Sequence, residues 1–171
     1  MDGDGQNDVL AINKISEAVS LAVAWYRYPD FKRFAVAPLV HYTACNMEVA
    51  DVDQDGDPDV IGADAFIAVW WENIDPNLNW VRHELGATNQ VKDIKAADFN
   101  QDGKTDLVSR EEDRTHLWVQ QSNNGFIKAN VIGHPVNEGL AVGDLDRDGD
   151  PDLVLNGYWL ENPGPNSLPG S

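Results

Sequence analysis

Apolar residues fall along this chain in short runs, none long enough or spaced to make one face of a helix. One set is Val9–Ile12, Val60–Gly62, Leu107–Val108 and Leu153–Leu155. A second is Val23–Tyr26, Ala68–Trp71, Leu117–Val119 and Tyr158–Leu160, and a third is Phe31–Val36, Trp80–Leu85 and Phe126–Ile132. A fourth, rich in small residues, is Met47–Ala50, Ile94–Ala97 and Leu140–Gly143. Runs of this length, rich in β-branched and aromatic residues and bounded by turn residues, read as strands. The turns between the second and third sets are Tyr28-Pro29-Asp30, Asp75-Pro76-Asn77 and Asn123-Asn124-Gly125.

The sets recur in one order, so the chain is a repeat. Gly5, Gly56, Gly103 and Gly149 mark it, 51, 47 and 46 residues apart. That period suits a four-stranded blade. The expected fold is all-β and β-propeller-type, with four-stranded antiparallel blades. Fourteen strands make about three and a half blades. The expected units are 1–40 (incomplete), 41–86, 87–133 and 134–162 (incomplete), followed by an extended tail at 163–171.

Polar stretches repeat with the strands. Asp51-Val52-Asp53-Gln54-Asp55-Gly56-Asp57-Pro58-Asp59 alternates three carboxylates, then places a glycine and a closing carboxylate. Alternation lets the acids converge from one side of a curled loop, and the glycine can take the left-handed turn that aims the next carbonyl inward. A hard cation taking six to eight oxygens suits such a loop, calcium better than magnesium. The stretch recurs with ligand positions Asp98, Asn100, Asp102, Lys104 and Asp106, and again with Asp144, Asp146, Asp148, Asp150 and Asp152. The N-terminal Asp2, Asp4, Gln6 and Asp8 match from the second ligand onward. In each loop the residue after the glycine (Gln6, Asp57, Lys104, Asp150) offers its main-chain carbonyl. An EF-hand needs Glu at the twelfth position, and Gly62, Ser109 and Leu155 stand there instead.

The nine-residue form followed by an apolar strand resembles the FG-GAP/VCBS repeats of calcium-binding β-propellers, such as the integrin alpha-chain head. The resemblance covers nearly the whole chain. It implies three or four Ca2+ ions per chain, an exported protein (extracellular, cell-surface or periplasmic), and ligand sites on the face opposite the calcium loops.

Charge supports the metal more than a partner. The net charge is −17, and sixteen of the 29 acids lie in the four loops. Four divalent ions would bring the balance to about −9. No basic run offsets the acidity, which argues against nucleic acid or insertion in an anionic membrane. Cys45 stands alone, so no internal disulfide forms.

Recognition residues are sought between blades. His41 and His134 each stand ten residues before the next loop, with Tyr42, Asn46, Asn137 and Glu138 nearby. Asp64, Arg110, Glu111, Asp113 and Asn156 lie in connections on the same face and read as solvated loop polars. His83 and His116 sit in strands and read as structural. Trp25, Trp70, Trp118 and Trp159 read as one equivalent core position, and Phe31, Trp80 and Phe126 as another, with Trp71 outside the pattern but buried between blades. Nucleophile-elbow, zinc-protease and phosphate-loop motifs are absent from the sequence. The reading is a calcium-stabilised binding module that recognises glycan or protein through inter-blade loops. It is either a piece of a larger propeller or a homo-oligomer completing one. The alternatives are a fragment of a propeller enzyme acting on polysaccharide or sugar, of lyase or dehydratase type, and a purely structural segment.

Overall fold

The computed structural model describes residues 1–16, 19–38, 46–75, 79–134, 139–155, 157–164 and 167. Among the described residues fourteen strands form four antiparallel sheets, each a simple meander. The first holds β1 (Val9–Ser16), β2 (Val19–Arg27) and β3 (Lys32–Pro38). The second holds β4 (Glu48–Ala50), β5 (Asp59–Asp64), β6 (Ile67–Asp75) and β7 (Asn79–Ala87). The third holds β8 (Asp93–Ala97), β9 (Asp106–Arg110), β10 (Arg114–Gln120) and β11 (Phe126–Gly133). The fourth holds β12 (Leu140–Gly143), β13 (Asp152–Leu155) and β14 (Tyr158–Leu160). No helix occurs among the described residues except a single 3-10 position at Ser167. The all-β, propeller-type expectation holds.

Sheets stack side by side, the inner strands β4, β8 and β12 in contact and the outer strands β3, β7 and β11 likewise. Three apolar clusters result. One joins the first and second sheets through Val23, Trp25, Val60 and Trp71. The next joins the second and third through Val52, Ile61, Trp70, Leu107 and Trp118. The last joins the third and fourth through Phe99, Val108, Leu117, Leu153 and Leu155. Both faces of an inner sheet are thus covered, which explains strands such as β5, buried along its whole length.

Strand register corrects the tryptophan pattern. Trp25 pairs with Leu10, Trp70 with Ile61, Leu117 with Val108 and Trp159 with Val154. Tyr26 pairs with Val9, Trp71 with Val60, Trp118 with Leu107 and Leu160 with Leu153. Trp118 is therefore the counterpart of Trp71, and Leu117 that of Trp70. Asp59 precedes Trp70 by eleven residues and Asp106 precedes Trp118 by twelve, and one residue of slip turns a side chain to the other face. The first position faces the following sheet and the second the preceding one. Trp159 faces beyond the last sheet and is half exposed, unlike its buried counterparts Trp25 and Trp70. Phe31 is also not core: it lies exposed in a turn, and Phe34 stacks on Trp25 with ring centroids 4.4 Å apart. His83 plays the same part for Trp70 at 4.3 Å.

Trp25 with Trp71 and Trp70 with Trp118 fill these positions in the first two interfaces, and Leu117 and Leu160 stand there in the third. A cavity of about 80 Å³ remains there, lined by Phe99, Leu117, Ile132, Leu153 and Leu160 among others. Leu160→Phe is expected to add about 1 kcal/mol and raise the melting temperature by roughly 2–4 °C. A lowered melting temperature would show that the space does not accept a ring.

Candidate metal centre

Stretches 51–59, 98–106 and 144–152 link β4 to β5, β8 to β9 and β12 to β13, stretch 2–8 leads directly into β1, and their hydrogen bonds repeat from sheet to sheet. The first-position carboxylate accepts the loop glycine N–H: Gly56 to Asp51 (3.1 Å), Gly103 to Asp98 (2.8 Å) and Gly149 to Asp144 (3.2 Å). The third position accepts from the fifth, as Asp55 N–H donates to Asp53 (3.3 Å) and Asp148 N–H to Asp146 (3.2 Å). The fifth accepts from the seventh, as Asp57 N–H donates to Asp55 (2.9 Å) and Asp150 N–H to Asp148 (3.1 Å). Asp2 and Asp4 accept likewise from the N–H groups of Asp4 and Gln6. Short polar side chains bonding the backbone two residues on are the local turn chemistry of Asp and Asn.

The ninth position anchors the loop to the sheet. Asp59 accepts the Val52 and Asn73 N–H groups, both at 2.8 Å. Asp106 accepts from Phe99 (3.1 Å) and Gln120 (2.9 Å), and Asp152 from Leu145 (2.9 Å) and Asn162 (2.8 Å). Asp8 accepts from Tyr28 (2.9 Å) and from the Met1 ammonium (2.6 Å). A second left-handed residue precedes the glycine in three loops: Gln54 (φ 64°), Gln101 (φ 57°) and Arg147 (φ 66°). Sequence reasoning missed that position, although Gly3 at the matching place in the first loop signals it.

Carboxylate oxygens converge in two of the four loops. Asp51, Asp53 and Asp59, and separately Asp144, Asp146 and Asp152, each offer one oxygen within 4.8 Å of the others. Asp51 Oδ1 and Asp150 Oδ1 are buried without a hydrogen-bond donor. Undonated, crowded carboxylate oxygens fit an oxygen-ligated divalent cation, whose charge would serve several at once. In the third loop the Lys104 ammonium sits 2.6 Å from Asp102 Oδ2, a fixed cation inside the acidic loop. In the first, the Met1 ammonium meets Asp8.

Protonation does not follow this division, since Asp106 of the Lys104 loop is raised while Asp152 of a converging cluster is lowered. Burial pushes the Asp59 and Asp106 carboxyls up to about 6, against the amides that each accepts. Burial and the neighbouring Asp148 raise Asp150 to about 6. Burial also pushes Asp102 up, but Lys104 outweighs it and the net is below the ordinary value. Asp152 is held low by the Asn162 and Leu145 amides, which outweigh burial at the open side of the last sheet. A cation must displace protons from the raised groups. One such proton at about 6 is expected to weaken divalent-cation binding roughly tenfold at pH 5 relative to pH 7. Calorimetric titration at the two pH values checks this, and equal affinities would refute it.

At the other end of the strands three of the predicted solvated polars, Asp64, Arg110 and Glu111, are buried. The Arg110 guanidinium donates through Nε to Asp93 Oδ2 at 2.8 Å and is 1 % exposed. Asn46 donates to Asp93 Oδ1 at 2.6 Å, and His134 meets Thr115 Oγ1 at 3.0 Å. Glu111 is fully buried, with Oε1 2.9 Å from His116 Nε2. Burial pushes the His116 imidazole down against the pull of Glu111. Asp64 is buried as well, while Asp113 is exposed and paired with Arg114. His41, Tyr42, Asn137, Glu138 and Asn156 lie outside the described residues.

Four meander sheets stacked on one another, with an acidic stretch leading into β1, β5, β9 and β13, define an all-β, propeller-type repeat module. The FG-GAP-like repeat matches over residues 1–62, 51–109 and 98–155, the last two beginning at the first acid of a loop. The chain belongs to the FG-GAP-like repeat family. No curated protein matches it. Among the described residues no helix is long and apolar enough to cross a membrane.

Proposed function

We propose that the chain is a calcium-stabilised propeller module of an exported protein, recognising a glycan or protein through the connections opposite the acidic loops. The observation that carries the metal is the pair of carboxylate clusters with buried, undonated oxygens beside them. Calcium suits them better than magnesium, because an irregular set of six to eight oxygens on a curled loop does not meet octahedral demands. Loops 51–59 and 144–152 are the principal sites, and Lys104 tempers the affinity of 98–106. Asn46 and His134 stand at the recognition end, beside Asp93, Arg110 and Thr115. Connecting loops on a rigid sheet scaffold are where binding residues concentrate.

The piece of a larger propeller and the self-completing oligomer are both served by one experiment. Native mass spectrometry with calcium counts ions and protomers together. Two or more ions per chain are expected, and none would overturn the metal. A glycan array probed with the calcium-loaded protein then tests recognition. Binding that weakens in Asn46→Ala or His134→Ala supports the site, and an array without any binding removes the glycan reading.

A further inference from the structure

Side-chain amides wire neighbouring acidic loops together in a repeating way. Asn73, Gln120 and Asn162 occupy one position, each giving its N–H to the ninth-position Asp of its own loop. The side-chain amide of each then crosses to the preceding loop. Asn73 Nδ2 donates to the Met1 carbonyl (3.3 Å), Gln120 Nε2 to the Val52 carbonyl (2.8 Å) and Asn162 Nδ2 to the Phe99 carbonyl (2.9 Å). All three side chains belong to buried residues. A second, exposed strap runs the opposite way. Gln54 Nε2 donates to the Gly103 carbonyl, and Gln101 Nε2 to the Gly149 carbonyl (3.2 Å). Thr105 adds a hydroxyl bond to the Asp51 carbonyl at 3.1 Å.

We infer that the loops at 51–59 and 144–152 bind their ions cooperatively, with the loop at 98–106 as the link and Gln120 and Asn162 as positioning residues. This rests on the metal binding proposed above. The two-state element is the acidic loop itself, ordered around an ion or loosened by repulsion among its carboxylates. An ion at Asp51, Asp53 and Asp59 fixes the Asp51 and Val52 carbonyls that Thr105 and Gln120 need. Gln120 is tied in turn to Asp106, so the middle loop is held. Its Phe99 carbonyl then receives Asn162, whose own N–H grips Asp152 in the last cluster. A buried amide deprived of its carbonyl is costly, so order in one loop favours order in the next. Coupling of this kind is reciprocal between sites.

The test is calcium titration followed by calorimetry, with each variant first shown to be folded by circular dichroism at saturating calcium. Removing the last site with Asp144→Ala and Asp146→Ala is expected to weaken binding at 51–59 about fivefold or more. In a Gln120→Met background the same removal is expected to weaken that affinity by a clearly smaller factor, since only the Thr105 and Gln54 bonds then join the two loops. Should Gln120→Met fail to fold, Gln101→Ala, which cuts only the exposed strap, is expected to reduce the coupling. Two ions bound with affinities independent of each other would overturn the coupling and leave the metal reading standing. No calcium bound to the unaltered protein would overturn both.

Discussion

Removing calcium is expected to lower the melting temperature by roughly 10–20 °C. A ligand that binds only the folded state stabilises it by about 2.7 kcal/mol per site at a hundred times its dissociation constant. Two sites give about 5 kcal/mol, and a domain of this length shifts by roughly 2–4 °C per kcal/mol. The size follows from what the ions neutralise. Without them, Asp51, Asp53 and Asp59 hold oxygens within 4.8 Å, as do Asp144, Asp146 and Asp152, in a chain of net charge −17. Calorimetric scans in calcium and in chelator make the comparison, and equal melting temperatures would sink the idea. Magnesium is expected to restore only part of the difference, since it gives up its own water reluctantly.

The loops were legible because nearly everything that shapes them is local. The first-, third- and fifth-position carboxylates bond a backbone N–H two or five residues on, so spacing alone carries that part of the geometry. Strand number and order were legible for the same reason, since each unit is a meander of neighbours in sequence. What failed was nonlocal. Trp118 reads as the partner of Trp70 by its surroundings in sequence, yet one extra residue between Asp106 and Trp118 turns it toward the preceding sheet. Lys104 was visible only as a residue offering a carbonyl. The ammonium on Asp102 is a choice of side-chain direction that spacing does not encode. Asp64, Arg110 and Glu111 read as loop polars because they flank turns, and their burial depends on elements far away in sequence.

Arg110→Ala is expected to cost about 3–5 kcal/mol. Removing one member of a buried ion pair leaves the other charge without compensation in a poorly solvated place. Here the stranded group is Asp93, 8 % exposed, which keeps the Asn46 amide at 2.6 Å but loses the guanidinium at 2.8 Å. Arg110 also donates to the Glu111 carbonyl at 3.3 Å, so the turn carrying the fully buried Glu111 carboxylate loosens at the same time. The pair itself is a different quantity from the cost of breaking it. Replacing both members by apolar residues, Asp93→Leu with Arg110→Met, is expected to recover most of the loss, because neither charge then needs desolvation. Denaturant unfolding of the two single variants and the double variant in calcium separates these contributions. A cost below about 1 kcal/mol for Arg110→Ala would mean that water reaches Asp93 freely, and that the far end of the third sheet is more open than its packing implies.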